Sequence, residues 1–150
     1  MSLAELDRSV IGREFDHTSH GPITAAELIA YARHLGETDP IYLDEEAARR
    51  GPYAGLIAHP SFVVALRGEK MMPEMVVKYL RRAGFDAGKD IEFGVPIRPG
   101  DTITMRSSIH DLYEKTGRSG SMHFIVFRSL LTNQRGETVP ITDQRMMQRA

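Results

Sequence analysis

The stretch from Tyr31 to Ser61, YARHLGETDPIYLDEEAARRGPYAGLIAHPS, constrains this chain more than any other. A helix pattern leads into it. Thr24 is placed as N-cap, and Glu27 three residues on completes a capping box. Ile23 and Leu28 are spaced as a hydrophobic staple, and Leu28, Ala32 and Leu35 recur on one face at helical spacing. Gly36 supplies the stop, because the residue just past a helix often needs positive φ. The polar turn Gly36-Glu37-Thr38-Asp39-Pro40 follows, then the apolar/polar alternation Ile41-Tyr42-Leu43-Asp44. Asp44 is placed to cap a short helix through Arg49 or Arg50, and a Gly/Pro-rich loop then closes on Ala58-His59-Pro60.

The next segment, Ser61 to Lys70, opens SFVVALRG and is apolar all round, the pattern of a buried helix. Val63 and Val64 leave a strand open as the other reading. Pro73 starts a helix expected over Glu74 to Ala83, and Gly84 and Gly88 loosen the chain after it. The C-terminal half alternates as strands do, over Ile91–Val95, Thr102–Tyr113, Met122–Leu131 and Val139–Arg145. Ile103, Met105, Ser107 and Ile109 fall on one side. Arg98-Pro99-Gly100-Asp101 and Asn133-Gln134-Arg135-Gly136 are turns, and Lys115 to Gly120 is a hairpin connection. Pro140 marks an edge or a bulge. Helices followed by an antiparallel meander imply an α+β domain, and 150 residues is the length of one.

Composition excludes several classes. The chain has no cysteine, so disulfides, thiol catalysis and Cys-zinc sites are out. The 19 Lys and Arg nearly balance the 20 Asp and Glu, for a net charge of −1, which is no nucleic-acid footprint. The basic cluster Lys78 to Arg82 reads as the solvated side of a helix, and the phosphates of an acyl carrier are its functional alternative. No apolar run is long enough to span a bilayer, and the N-terminus is too charged for a secretory signal. A cytoplasmic protein is expected. There is no G-x-G-x-x-G after a strand, no P-loop and no His/Asp/Glu metal cluster, so no metal, nicotinamide or flavin is expected. His17, His20, His34, His110 and His123 read as surface or strand residues. Met71, Met72 and Met75 read as adaptable packing, with the lining of an acyl tunnel as the functional alternative.

Taken in order, GPITAAELIAYARHLGETDPIYLDEEAA, GLIAHPSF, IRPGDTI and YEKTGRSGSMHF resemble the MaoC-like hydratases and dehydratases. Members of that family add water to acyl thioesters or remove it. The likeness runs from about Gly21 to about Arg145 and is strongest to the N-terminal half of two-domain members, or to the substrate-binding subunit of bacterial fatty-acid dehydratases. It implies the hot-dog fold, an antiparallel sheet wrapped around a central helix. It also implies an acyl-CoA or acyl-ACP substrate, no cofactor, and a homodimer or a heterodimer with a catalytic MaoC-like subunit.

Catalytic relatives carry Asp and His in a pattern like D-x-N-P-x-H-x-D. Anchored on Asp39-Pro40 and Leu43-Asp44, those positions are Glu37 and Tyr42 here. Hydration needs groups that exchange protons within hydrogen-bond reach of one water. Tyr, with an ordinary pKa near ~10, is a poor base at neutral pH. Relatives also follow the loop His with Gly, whose N–H polarises the thioester carbonyl. Pro60 follows His59 here and has no N–H to donate. The Ser61 N–H or hydroxyl is the substitute, helped by the positive end of the following helix. The resemblance therefore makes Glu37, Tyr42 and His59 the catalytic candidates and places Asp39, Pro60 and Ser61 at the substrate. Glu37 also reads as a solvated turn residue, Asp39 as a turn former, and Tyr42 as packing with a hydroxyl handle. Three functions follow: a hydro-lyase with a shifted constellation, an acyl-binding subunit whose partner supplies Asp and His, and a thioester-binding homodimer without lyase activity. The altered pair predicts weak or undetectable hydration by the chain alone, with acyl-thioester binding retained.

Overall fold

A computed structural model describes residues 3–80, 84–118 and 120–149. Five strands, β1 (Glu14–His20), β2 (Gly84–Phe93), β3 (Ile103–Gly117), β4 (Gly120–Thr132) and β5 (Thr138–Arg149), form one sheet. Its order is β1-β3-β4-β5-β2, and every neighbouring pair is antiparallel. The helices are α1 (Ala25–His34), α2 (Glu45–Arg49) and α3 (Glu74–Leu80), with 3-10 turns at Leu3–Glu5, Arg8–Val10, Pro40–Tyr42 and Pro60–Val64.

The first helix forms as its sequence dictates. The Thr24 hydroxyl accepts the Glu27 N–H and the Glu27 carboxylate accepts the Thr24 N–H. Leu28 and Ala32 are buried, but Leu35 is 49% exposed, because it is the C-cap and lies past the last covered turn. On β3, Ile103, Met105, Ser107 and Ile109 are buried as expected. A bulge between Ile109 and Asp111 then resets the alternation and turns Leu112 inward. Pro140 sits at a bulge too, since Leu130 and Thr132 pair with Ile141 and Thr138. β5 is nevertheless an inner strand, flanked by β4 and β2.

One strand was not anticipated from the sequence, and two expectations need correcting. The strand is β1, which has no apolar alternation. Its inward residues are Asp16 and Thr18, both buried, and nothing in their type marks a strand. First, Gly84 and Gly88 lie inside β2 rather than loosening a loop. Gly88 takes φ +105° at a bulge and its N–H is accepted by the Asp86 carboxylate. Second, Ser61 to Lys70 is not an α-helix. It opens with the end of a five-residue 3-10 turn, Pro60–Val64, with Phe62 N–H donating to His59 O and Ala65 N–H to Phe62 O, and continues without helix to Lys70. The competing bonds explain the loss. The N–H of Glu69 goes to the Thr18 hydroxyl (3.0 Å) and that of Lys70 to the Asp16 carboxylate (2.9 Å), rather than to carbonyls four residues back. A Cβ on Gly68 would overlap that carboxylate, so glycine lets the segment approach β1. The expected α3 is present over Glu74–Leu80. Its last residues, with Arg81, Arg82 and the side chain of Lys78 from the basic cluster, lie outside the described residues.

Apolar side chains collect in two cores. One joins Leu28, Phe62, Val63, Ile103, Met105 and Leu131; the other joins Leu3, Val76, Leu80, Ile109, Ile125 and Phe127. Between them opens a cavity of about 620 Å³, lined on one side by residues of the Ser61–Lys70 segment. Met71 and Met72 line it, while Met75 packs on the second core.

Across the sheet, Arg128 on β4 grips the Asp143 carboxylate on β5 through two hydrogen bonds of 2.7 and 2.6 Å. This grip holds Asp143 below the usual carboxylate range, chiefly through the Arg128 hydrogen bonds. A lowered folded-state pKa means stability that is full above the unfolded value and lost as pH falls through the folded one. Asp143→Asn should cost about 1 kcal/mol at neutral pH. The gap from wild type should close as pH falls below 3.8, read by urea unfolding across the acid range.

Candidate active site

Four short elements converge. Glu37 is delivered by the end of α1. The Gly36 N–H donates to Arg33 O (3.0 Å), the Glu37 N–H to Ala32 O (3.0 Å), and Gly36 has φ +77°. That double bond fixes the exit direction of the chain. One oxygen of Glu37, Oε1, then accepts the N–H groups of Thr38 (2.7 Å) and Asp39 (3.0 Å). These bonds, Asp39 before Thr38, hold the Glu37 carboxyl below its ordinary value, with a smaller contribution from His59. The second oxygen, Oε2, lies 3.5 Å from His59 Nε2.

His59 caps the Pro60–Val64 turn. Its Nδ1 accepts the Ser61 N–H (3.3 Å) and lies 2.8 Å from Ser61 Oγ. Accepting at Nδ1 assigns the ring proton to Nε2, facing Glu37. Tyr31, from α1, donates its hydroxyl to Ser61 O (3.0 Å) and lies 3.1 Å from Ser61 Oγ. Its ring packs edge-on to Phe62 at 5.2 Å. A continuous polar chain therefore runs Tyr31, Ser61, His59, Glu37.

Tyr42 is close but not in this chain. Its ring meets His59 edge-on at 5.2 Å. Partial burial raises its pKa further above 10, and the charges of Asp39, Glu37 and Tyr53 add to the rise. It is thus no base at neutral pH, and it walls one side of the imidazole. Asp39 is committed to the backbone, accepting the Ile41 N–H at 3.0 Å. Pro60 contributes no donor. Two expectations about Ser61 change. Its N–H and its hydroxyl are both directed at His59 Nδ1, so neither is a free donor. The turn it opens has five residues, so little helix dipole stands behind it. Tyr31 was missed as a site residue. Its signal was an aromatic hydroxyl on an otherwise aliphatic helix face.

Chemically, a carboxylate oxygen and an imidazole N–H 3.5 Å apart can share one water at ordinary hydrogen-bond distances of about 2.8 Å from each. Among the described residues, no group of His, Asp and Glu is placed to hold a metal ion. No helix there is long and apolar enough to cross a membrane.

The five-stranded antiparallel sheet and its few helices are the hot-dog fold of the MaoC-like hydratases and dehydratases. A MaoC-like dehydratase from Rhodospirillum rubrum superposes with a TM-score of 0.67 at 26% identity, over 99% of this chain and 97% of that one. The HadBC (3R-hydroxyacyl-ACP dehydratase) complex of Mycobacterium tuberculosis gives a TM-score of 0.68 at 23% identity, over 95% and 99%. By sequence, a UPF0336 protein of Streptomyces avermitilis is 27% identical over 150 residues, covering 97% of this chain and 96% of that protein. Residues 9–142 match the family described as "FAS1-like, dehydratase domain region", and the chain belongs to that family.

Proposed function

We propose that this chain hydrates enoyl thioesters, or dehydrates 3-hydroxyacyl thioesters, through Glu37 and His59. The observation that carries this reading is the 3.5 Å approach of Glu37 Oε2 to His59 Nε2. A second histidine thus stands beside the altered carboxylate where Tyr42 has replaced the usual one. Glu37 takes a proton from water whose oxygen is held by the His59 Nε2–H. The hydroxyl adds to the β carbon and the electron pair moves into the thioester enolate. The α carbon then recovers the proton from Glu37, so one water is added and both side chains end as they began. The Ser61 hydroxyl is the nearest donor for the thioester oxygen, but its one proton must first turn away from His59 Nδ1. Tyr31 holds the Ser61 carbonyl in place.

The same geometry makes the reaction slow. A carboxylate held below its ordinary pKa is a weaker base. A missing carbonyl donor costs roughly 3 kcal/mol where such a donor is used. Tyr31→Phe should lower kcat about 3- to 10-fold, the worth of one neutral hydrogen bond, with KM little changed. Steady-state hydration of crotonyl-CoA reads this, and an unchanged kcat would remove Tyr31 from the site.

The acyl-binding subunit is the second reading, favoured by Tyr42 at the usual histidine position and by the two-subunit assembly of the HadBC neighbour. β2 is a sheet edge that exposes Phe85 (55%) and Phe93 (57%), an apolar edge suited to a second copy or a partner subunit. Under this reading the chain binds crotonyl-CoA without turnover, and an intact MaoC-like partner restores the rate.

A further inference from the structure

The sheet carries a row of hydroxyls where packing alone calls for methyl groups. Ser107 on β3 pairs with Ser129 on β4, and Ser129 pairs with Thr142 on β5. Along β3 the hydroxyl stands between Met105 of one core and Ile109 of the other. Along β4 it stands between Leu131 and Phe127. The row therefore crosses the gap between the two cores, and all three residues line the cavity there. Ser107 is 4% exposed and Thr142 8%. Ser107 and Ser129 are 2.8 Å apart, Oγ to Oγ. The Thr142 hydroxyl has no hydrogen-bond partner among the described residues. That hydroxyl opens on the cavity, where water can reach it. A plain hydrocarbon seated there would displace the water and leave the hydroxyl without a partner, whereas an oxygen on the chain would replace it.

We propose that this cavity takes an acyl chain bearing a further neutral oxygen, a hydroxyl or a keto group beyond the β carbon, seated against Thr142 and the Ser107–Ser129 pair. The proposal rests on the acyl-thioester reading of the Glu37–His59 site and names its substrate class. Three features support it. Val63 and Val64, two and three residues past Ser61, line the same cavity, so a chain whose thioester lies at Ser61 has a short way to go. At about 620 Å³ the space is that of a small-molecule site. Its charged side chains, Arg67, Lys70, Asp86 and Lys89, are all exposed, which leaves the floor neutral and suits an uncharged oxygen rather than a carboxylate.

The test is isothermal titration of the purified protein with dodecanoyl-CoA and with hydroxy- and oxododecanoyl-CoA isomers whose oxygen moves carbon by carbon along the chain from carbon 4 outward. One position should bind about 3- to 10-fold tighter than the plain chain, the worth of one hydrogen bond. Thr142→Val, which keeps the side-chain shape, should reduce that preference, and Thr142→Val with both Ser107→Ala and Ser129→Ala should abolish it. Plain dodecanoyl-CoA, titrated against each variant, is the reference from which the preference is read. Isomers that all bind no tighter than the plain chain would overturn the proposal while leaving the thioester site standing. So would a preference that survives in the triple variant. Failure of every acyl-CoA to bind would overturn this proposal and the thioester reading together.

Discussion

His59→Ala should lower the hydration rate of crotonyl-CoA by about 10²- to 10⁴-fold, with Glu37→Gln close behind. The two losses should not add, because the side chains hold one water between them. His59→Ala removes the Nε2–H that holds the water, and it also releases Ser61 Oγ and the Ser61 N–H from their shared acceptor. Glu37→Gln removes the base but keeps a carbonyl oxygen for the Thr38 and Asp39 N–H groups, so the turn should hold. Kinetics of the single and double variants, with circular dichroism as a fold control, read the effect. A double variant that loses the product of the two single losses would show two independent groups rather than one dyad.

The largest stability effect is expected at Asp101. Its side chain is 2% exposed and accepts from Arg98 N (2.9 Å), Gln134 Nε2 (3.0 Å) and Arg135 Nη1 (3.0 Å). These bonds tie the turn before β3 to the hairpin that joins β4 and β5. Asp101→Ala leaves the Arg98 N–H and the Gln134 amide without this acceptor. Arg135 keeps Glu137 and is half exposed, which limits its share of the loss. The expected cost is about 3 kcal/mol, at the lower end of what breaking a buried charged pair costs. Urea unfolding measures it. A loss below about 1 kcal/mol would mean that solvent already satisfies these groups.

What was legible in the sequence follows local physics. The capping box at Thr24 and Glu27, the stop at Gly36, and the Ile103-Met105-Ser107-Ile109 alternation each depend on residues a few positions apart, and each formed as read. Elements decided by distant partners were not legible. β1 hides because Asp16 and Thr18 are buried to hold residues 69 and 70, more than fifty positions away. The same bonds dissolve the helix expected over Ser61 to Lys70. Glu37, His59 and Ser61 were chosen as candidates through the family's spacing. The approach of Glu37 to His59 and the arrival of Tyr31 depend on how α1 docks against the Pro60 turn, which no local pattern encodes.

The most direct test of the Glu37–His59 account is hydration of crotonyl-CoA by the purified chain in deuterated water, followed by mass spectrometry and NMR of the product. The expected result is slow, saturable formation of 3-hydroxybutyryl-CoA with one deuterium on the carbon next to the thioester, suppressed by His59→Ala. Robust turnover that is insensitive to both Glu37→Gln and His59→Ala would contradict it.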